Sequence, residues 1–231
     1  MNTIEIVKPS VVILTPKEEI LDFPRRIEEA GRTCYRSEDK AGEGTAEKFC
    51  CMLIRRGHES VLEHCSLSVR IVCDRATSHQ IVRHRLCAFS QASQRYCCYE
   101  GGPLEVIRPP FDETSIWVDS VLQAVAAYRA LRTAGEPAEN ARSVLPNCTA
   151  TQIVMSANVR QWRHIFNERA LNPHAQLQTR FVFLSLLGEL QELVPCLFGA
   201  DTTDTVNERL AEMPAYWQKD TETTEAIGER S

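Results

Sequence analysis

The chain has 231 residues, enough to bury the core of one domain or of two small ones. Hydrophobic residues make up 43 % and charged residues 25 %, the ordinary balance of a globular protein. The formal net charge is −5, whereas proteins that coat nucleic acid are usually basic. We therefore expect no nucleic-acid partner and a local pocket for any bound anion.

The chain contains ten cysteines, which raises the question of disulfides or a metal site. No signal-peptide pattern opens the sequence, so we expect a cytoplasmic protein with reduced thiols. The close pairs are Cys50-Cys51 and Cys97-Cys98, and adjacent cysteines rarely bind one metal together. We predict no metal and, because no apolar run reaches transmembrane length, no membrane association.

The first half of the chain predicts a short buried strand and helices that alternate with strands. The strand covers residues 11–14, and helices cover residues 17–33 and 45–56, with Gly57 as a stop. Residues 65–73 alternate between apolar and more polar side chains, which predicts a strand with one buried face. Asp74 can then cap a helix that runs to about residue 85.

The second half predicts mainly helices. A turn-rich segment to residue 102 is followed by a long helix over 113–133, a short helix from Pro137, a strand over 149–156 and helices over 160–169 and 175–194. The mixture favours an α/β (α+β) fold in a single domain over residues 1–199. Residues 200–231 are polar, acidic and rich in threonine, so we expect a loosely ordered tail.

Residues 76–99 contain the most informative charge pattern. This stretch of 24 residues has no Asp, Glu or Lys, although the chain has 31 acidic residues. It does contain Arg83, Arg85 and Arg95, and a guanidinium group can bind a phosphate in a bidentate way. Neither G-x-x-x-x-G-K-[ST] nor G-x-G-x-x-G occurs, so side chains would have to hold a phosphorylated ligand. The alternatives are a solvated basic face and a network of salt bridges between subunits.

A second cluster contains His58 and His64, which are six residues apart. This is not the H-E-x-x-H spacing that places two histidines on one helical face, so a zinc site is a weak interpretation.

Four motifs in chain order carry a resemblance to a known family. Arg83-His84-Arg85, followed after seven residues by Ser93, resembles the R-H-R-x₇-S signature of flavin-dependent thymidylate synthases. Residues 58–64 resemble the family's H-x-[ST]-x-x-E-H element, and residues 140–146 resemble its A-R-x-x-L-P segment. Residues 158–160, His164, Arg169 and residues 174–176 resemble its C-terminal helix motifs. The resemblance covers about half of the chain.

The resemblance implies a central mixed or antiparallel sheet flanked by helices, in a homotetramer with active sites between subunits. It also implies a reaction in which methylenetetrahydrofolate provides a one-carbon unit to carbon 5 of dUMP. FAD, reduced by NADPH, provides the hydride, and the products are dTMP and tetrahydrofolate.

The resemblance also implies a role for individual residues. The flavin-binding set is His58, Ser60, Arg83, His84, Arg85, Gln91, Asn158, Val159, Arg160 and His164. The dUMP-binding set is Gln80, Arg83, Gln91, Ala92, Ser93, Gln94, Arg95, Arg142 and Arg169. Arg169 is the implied catalytic residue, bonding the uracil at N3 and the neighbouring carbonyl. The family needs no nucleophile, so Cys87, Cys97, Cys98 and Ser93 receive no such role.

Three positions depart from the family pattern. Ala88 stands where many members carry Ser, Gln91 where others carry Glu, and His164 where others carry Asn. The rival hypotheses are a flavoprotein that only oxidises NADPH, a non-catalytic nucleotide-binding module and a zinc hydrolase.

Overall fold

The computed structural model describes residues 2–97, 99–111, 114–199, 202–218 and 226–228. The strands are β1 (Thr3–Val7), β2 (Ser10–Ile13), β3 (Ser66–Asp74), β4 (Ala88–Gln91), β5 (Leu104–Ile107), β6 (Ala150–Asn158) and β7 (Ala226–Gly228). The helices are α1 (Lys17–Leu21), α2 (Phe23–Thr33), α3 (Thr45–Arg55), α4 (Arg75–Ile81), α5 (Ser115–Thr133), α6 (Ala138–Ala141), α7 (Val159–Ile165), α8 (Leu177–Leu193), α9 (Pro195–Phe198), α10 (Thr203–Ala211) and α11 (Ala215–Gln218). Short 3₁₀ segments cover Glu38–Lys40, Glu59–His64 and Arg142–Val144, and a π-helical turn covers Phe166–Ala170.

The strands form two sheets with helices packed against them. One sheet is antiparallel, with the strand order β2-β3-β6-β4. The other has the order β5-β1-β7 and is mixed, since β1 runs parallel to β5 and antiparallel to β7. The predicted α/β class with helix-flanked sheets is therefore confirmed. Within the described part of the chain, no helix is both long enough and apolar enough to cross a membrane.

Strand β3 lies at the centre of the larger sheet, and its alternation is as the sequence predicts. Leu67, Val69, Ile71 and Cys73 are fully buried, while the side chains between them point to the more exposed face. All nine residues of β3 pair with β6. Because side chains alternate with a period of two, this register commits one face of both strands to the main hydrophobic core.

Each of these two strands ends at a residue that caps the next helix. The Oδ1 atom of Asp74 accepts a hydrogen bond of 2.6 Å from the backbone N–H of Thr77, at the start of α4. Likewise, Oδ1 of Asn158 accepts one of 2.8 Å from the N–H of Gln161, at the start of α7. Side-chain caps of this kind satisfy N–H groups that have no partner within the helix. Because the strands are antiparallel, the two helices begin at opposite ends of the pair.

Several element predictions need correction. The strand expected to be buried at residues 11–14 is the edge strand β2, in which Val12 is 54 % exposed. The segment predicted as turns contains β4, and the sequence analysis missed β1 and β5, which pair across about 100 residues of sequence. The helix predicted over 17–33 is interrupted at Asp22. Glu113, where the long helix was expected to begin, lies outside the described residues, and α5 begins at Ser115.

The expectation of a loosely ordered tail is wrong for residues 202–218. Val206 of α10 is fully buried, and Trp217 of α11 is 2 % exposed. The ring of Trp217 lies 5.4 Å from that of Phe181 on α8, measured between centroids. The polar average composition of the segment did not indicate this packing, because a few well-spaced apolar side chains are enough to dock a polar segment on the core.

Replacement of Trp217 by alanine tests whether this segment contributes to stability. We expect Trp217→Ala to lower the free energy of unfolding by about 3 kcal/mol, since it removes a large buried side chain. Urea denaturation measures the change, with Glu212→Ala at an exposed position as the control. Equal stability of Trp217→Ala and the parent chain would contradict the packing of the segment.

Candidate active site

Arg169 lies in the π-helical turn Phe166–Ala170, which continues directly from α7. The N–H of Leu171 donates to the carbonyl of Phe166 at 2.9 Å, five residues back, as a π-helix requires. Such turns are rare and occur often at functional sites. Here the turn carries the residue that the sequence implies to be catalytic, with its side chain partly buried.

The guanidinium group of Arg169 is held by the imidazole of His84. Its Nε donates to Nε2 of His84 at 3.0 Å. His84 follows α4 and is only 7 % exposed. Burial, followed by the charges of Arg169 and His164, lowers the pKa of His84 to about 4, although Glu168 opposes the shift. The imidazole is therefore neutral at pH 7, and its Nε2 lone pair can accept the hydrogen bond.

A cleft of about 690 Å³ reaches this pair only through His164, and neither Arg169 nor His84 is among its lining residues. Its lining residues are Glu59, Glu63, Leu86, Asn158, Arg160, Gln161, Arg163, His164 and Asn167. Asn158, Arg160 and His164 belong to the predicted flavin-binding set, and the ring of His164 lies 6.1 Å from that of His84. The cleft thus brings the start of α7 together with the 3₁₀ segment Glu59–His64.

Two ion pairs connect the walls of the cleft. Nη1 of Arg160 lies 2.6 Å from Oε1 of Glu63, and Nε of Arg163 lies 3.3 Å from Oε1 of Glu59. Sequence reasoning assigned no role to Glu59, Glu63 or Arg163. Glu63 occupies the acidic position of the H-x-[ST]-x-x-E-H element, and this position in the motif could have indicated Glu63 as a candidate site residue.

The loop after β4 contains four of the nine predicted dUMP-binding residues, at positions 92–95. The N–H of Ala92 donates to the carbonyl of Gln152 at 2.9 Å, which ties the loop to β6. The N–H of Arg95 donates to Oγ of Ser93 at 3.3 Å, and Nε of Arg95 donates to Oε2 of Glu139 at 2.9 Å. Nε of Arg142 donates to the backbone carbonyl of Glu139 at 3.2 Å. The structure thus places Arg95 on the carboxylate and Arg142 on the backbone carbonyl of one residue, Glu139.

Two glutamines of the predicted sets make side-chain hydrogen bonds to neighbouring elements. The amide of Gln91 donates to Oγ of Ser78 at 2.9 Å and to Oγ1 of Thr151 at 3.3 Å. A glutamate carboxylate, which other family members carry at position 91, could only accept hydrogen bonds from these hydroxyls. With Gln91, the side-chain amide donates and the hydroxyls accept. Gln80 accepts from Oγ1 of Thr179 at 3.4 Å and also contacts Gln176. Gln94 is 9 % exposed.

Other predicted residues do not lie in the cleft. His58, Ser60, Arg83 and Arg85 are exposed and are not among its lining residues in the described part of the chain. The side chain of Val159 is fully buried in the core, and its N–H donates to the carbonyl of Cys65 at 2.9 Å. The single chain therefore does not collect the whole predicted flavin-binding set at one place.

Cys87, near the loop, is not activated as a nucleophile. Burial raises the pKa of Cys87 to about 11, so its thiol stays protonated at pH 7. Cys97 is exposed, and Cys98 lies outside the described residues. Among the residues that the structure describes, no three His, Cys, Asp or Glu side chains come together as a metal site would need.

A family model and two known proteins show what this chain is similar to. Residues 19–196 match the family model described as thymidylate synthase complementing protein. The flavin-dependent thymidylate synthase of Geobacter sulfurreducens is 36 % identical in an alignment of 181 residues that covers 73 % of this chain and 78 % of that protein. The flavin-dependent thymidylate synthase of Mycolicibacterium vanbaalenii is 35 % identical in an alignment of 215 residues that covers 80 % of this chain and 85 % of that protein.

One solved structure with a similar fold is a UMP/dUMP methylase, PolB from Streptomyces cacaoi, bound with 5-Br dUMP. It aligns with a TM-score of 0.67 at 23 % identity and covers 86 % of this chain and 97 % of its own. This likeness shows a shared fold.

The neutral state of His84 predicts a specific pH dependence of stability. The unfolded chain takes up a proton near pH 6.5, whereas the native imidazole resists protonation until about pH 4. The free energy of unfolding should therefore fall as the pH falls, by about 2 kcal/mol between pH 8 and pH 5 from this group alone. The variant His84→Gln lacks this contribution, and urea denaturation of both proteins at the two pH values measures the difference. An identical pH dependence in the two proteins would contradict a neutral, buried His84.

Proposed function

Since the chain belongs to the flavin-dependent thymidylate synthase family, we propose that it methylates dUMP to dTMP, with methylenetetrahydrofolate as the one-carbon donor and NADPH-reduced FAD as the hydride source. It is an enzyme of the methyltransferase class. FAD is proposed as the bound cofactor, while NADPH and methylenetetrahydrofolate are proposed as co-substrates.

The contact between Arg169 and His84 is the observation that supports this proposal most strongly. Carbon 5 of uracil is a poor nucleophile unless negative charge on the ring is stabilised at N3 and O4. A guanidinium group is always charged and provides that stabilisation without exchanging a proton. Because its partner His84 is a neutral acceptor, the charge of Arg169 is not cancelled before the substrate arrives.

The nucleotide phosphate is proposed to bind between Ser93, Arg95 and Arg142. The side chain of Arg95 is 51 % exposed, and the side chain of its partner Glu139 is 49 % exposed. Exposed ion pairs contribute little to stability, so the guanidinium of Arg95 can exchange its carboxylate partner for a phosphate at small cost. The hydroxyl of Ser93 lies in the same turn and adds a neutral hydrogen-bond donor.

The residues of the cleft fit the chemistry that FAD would require. Arg160 provides a cation for a pyrophosphate if it exchanges its exposed partner Glu63, and Asn158 and His164 provide hydrogen-bonding groups for polar ring atoms. The exposed Arg83 and Arg85 offer further cations outside the cleft, which fits a site completed by a second copy of the chain in a homotetramer. When bound, the flavin supplies hydride, and the protein's task is to position the reactants.

Visible absorption spectroscopy of the FAD-loaded protein tests the function directly. After removal of excess FAD, we expect a flavin spectrum that NADPH bleaches without oxygen, at a rate that changes when dUMP is added. Addition of methylenetetrahydrofolate should then yield dTMP, detected by chromatography. Flavin reduction that ignores dUMP, with no dTMP formed, would favour the rival hypothesis of an NADPH oxidase. A protein that binds no flavin would refute the proposal.

Replacement of Arg169 tests the role proposed for its charge. We expect Arg169→Ala to lower dTMP formation by at least about a hundredfold, as loss of one transition-state contact does, while the flavin stays bound. Arg25→Ala is the control, because Arg25 lies on the exposed face of α2 in surface ion pairs. Full activity of Arg169→Ala would refute the role, and equal losses in both variants would show that the effect is not specific.

A further inference from the structure

We propose that Arg209, on α10, is a positioning residue that holds the turn carrying Arg169 in its active shape. This inference rests on the catalytic role proposed for Arg169. It concerns a part of the chain beyond the family match, which ends at residue 196.

The contact is made at the end of the π-helical turn. Nη1 of Arg209 donates to the carbonyl of Leu171 at 2.6 Å and to the carbonyl of Ala170 at 3.4 Å. The last carbonyls of a helix have no partner within the helix, and a basic side chain that binds them also interacts favourably with the helix dipole. Arg209 therefore caps this turn from a different element.

Helix α10 is firmly placed to provide this cap. Val206 is fully buried and lies against Gly188 of α8, where an added Cβ would be 3.7 Å from its Cγ1 atom. Leu210, one turn further along α10, packs on the same core. Arg209 is partly buried beside this apolar face, so its guanidinium is presented to the turn by a docked helix and not by a free tail.

The position of Arg169 makes the cap relevant to activity. Arg169 precedes the capped residue Ala170 directly, and the contact from its Nε to His84 depends on the backbone of this turn. Helix ends fray when their terminal groups lose their partners. Loss of the cap should therefore loosen the guanidinium, and a misplacement of about 1 Å can cost about a hundredfold in rate.

Hydrogen–deuterium exchange of the full chain, measured with and without added FAD, tests the cap without any turnover. The variant Arg209→Leu retains aliphatic bulk but removes the hydrogen-bond donors, whereas Arg209→Lys retains a charged donor. The control Asn207→Ala alters an exposed position on the same helix. We expect faster exchange over residues 166–171 in Arg209→Leu, largely restored protection in Arg209→Lys and no change in Asn207→Ala. Unchanged exchange in Arg209→Leu, or faster exchange spread equally over α8, would overturn the proposal.

Steady-state kinetics of the same variants separate positioning from general damage. We expect Arg209→Leu to lower kcat for dTMP formation at least about tenfold, with a smaller change in KM for dUMP and with flavin reduction by NADPH in the absence of dUMP unchanged. Equal loss of both reactions would overturn a specific effect on Arg169. If the parent chain forms no dTMP, the proposed function fails, whereas the exchange result still decides whether Arg209 holds the turn.

Discussion

The antiparallel pairing of β3 with β6 is the constraint on which the rest of the structure depends. It runs without interruption from the pair Ser66–Asn158 to the pair Asp74–Ala150. A slip of one residue would turn the buried face of β3 towards the opposite side, so the hydrophobic pattern enforces the register. The same register determines where the capped helices α4 and α7 begin. These helices lead to His84 and to Arg169, and the site therefore inherits its geometry from the sheet.

Two arginines of the site are held in different ways that match the tasks proposed for them. Arg95 is exposed and paired with a carboxylate, so its partner is easily replaced by a phosphate. Arg169 is partly buried and bonded to a neutral imidazole, so its position is defined while its charge remains available. A charged histidine at position 84 would repel the guanidinium, and burial of His84 prevents that.

The C-terminal segment belongs to the structural core and not to a solvated periphery. Helix α11 is docked as well as α10. The centroid of the Tyr216 ring on α11 lies 4.3 Å from the guanidinium carbon of Arg108, and the Tyr216 hydroxyl donates to the carbonyl of Pro109 at 2.9 Å. Strand β7 pairs with β1, so the last described residues complete the smaller sheet. Residues beyond the span matched by the family model thus pack on the main core and complete the smaller sheet, and Arg209 among them contacts the end of the turn that carries Arg169.

Elements with local signals could be predicted from the sequence. The alternation over β3, the cap at Asp74 and the amphipathic helix α3 depend on neighbouring residues, and the motif spacing implied candidate site residues through a family resemblance. Which of these residues meet depends on the folded chain. His84 and Arg169 are 85 residues apart, β1 pairs with β5 across about 100 residues, and Arg209 reaches the turn from a segment with a disordered-looking composition. Such contacts depend on how distant apolar faces pack together, and no local pattern encodes that packing.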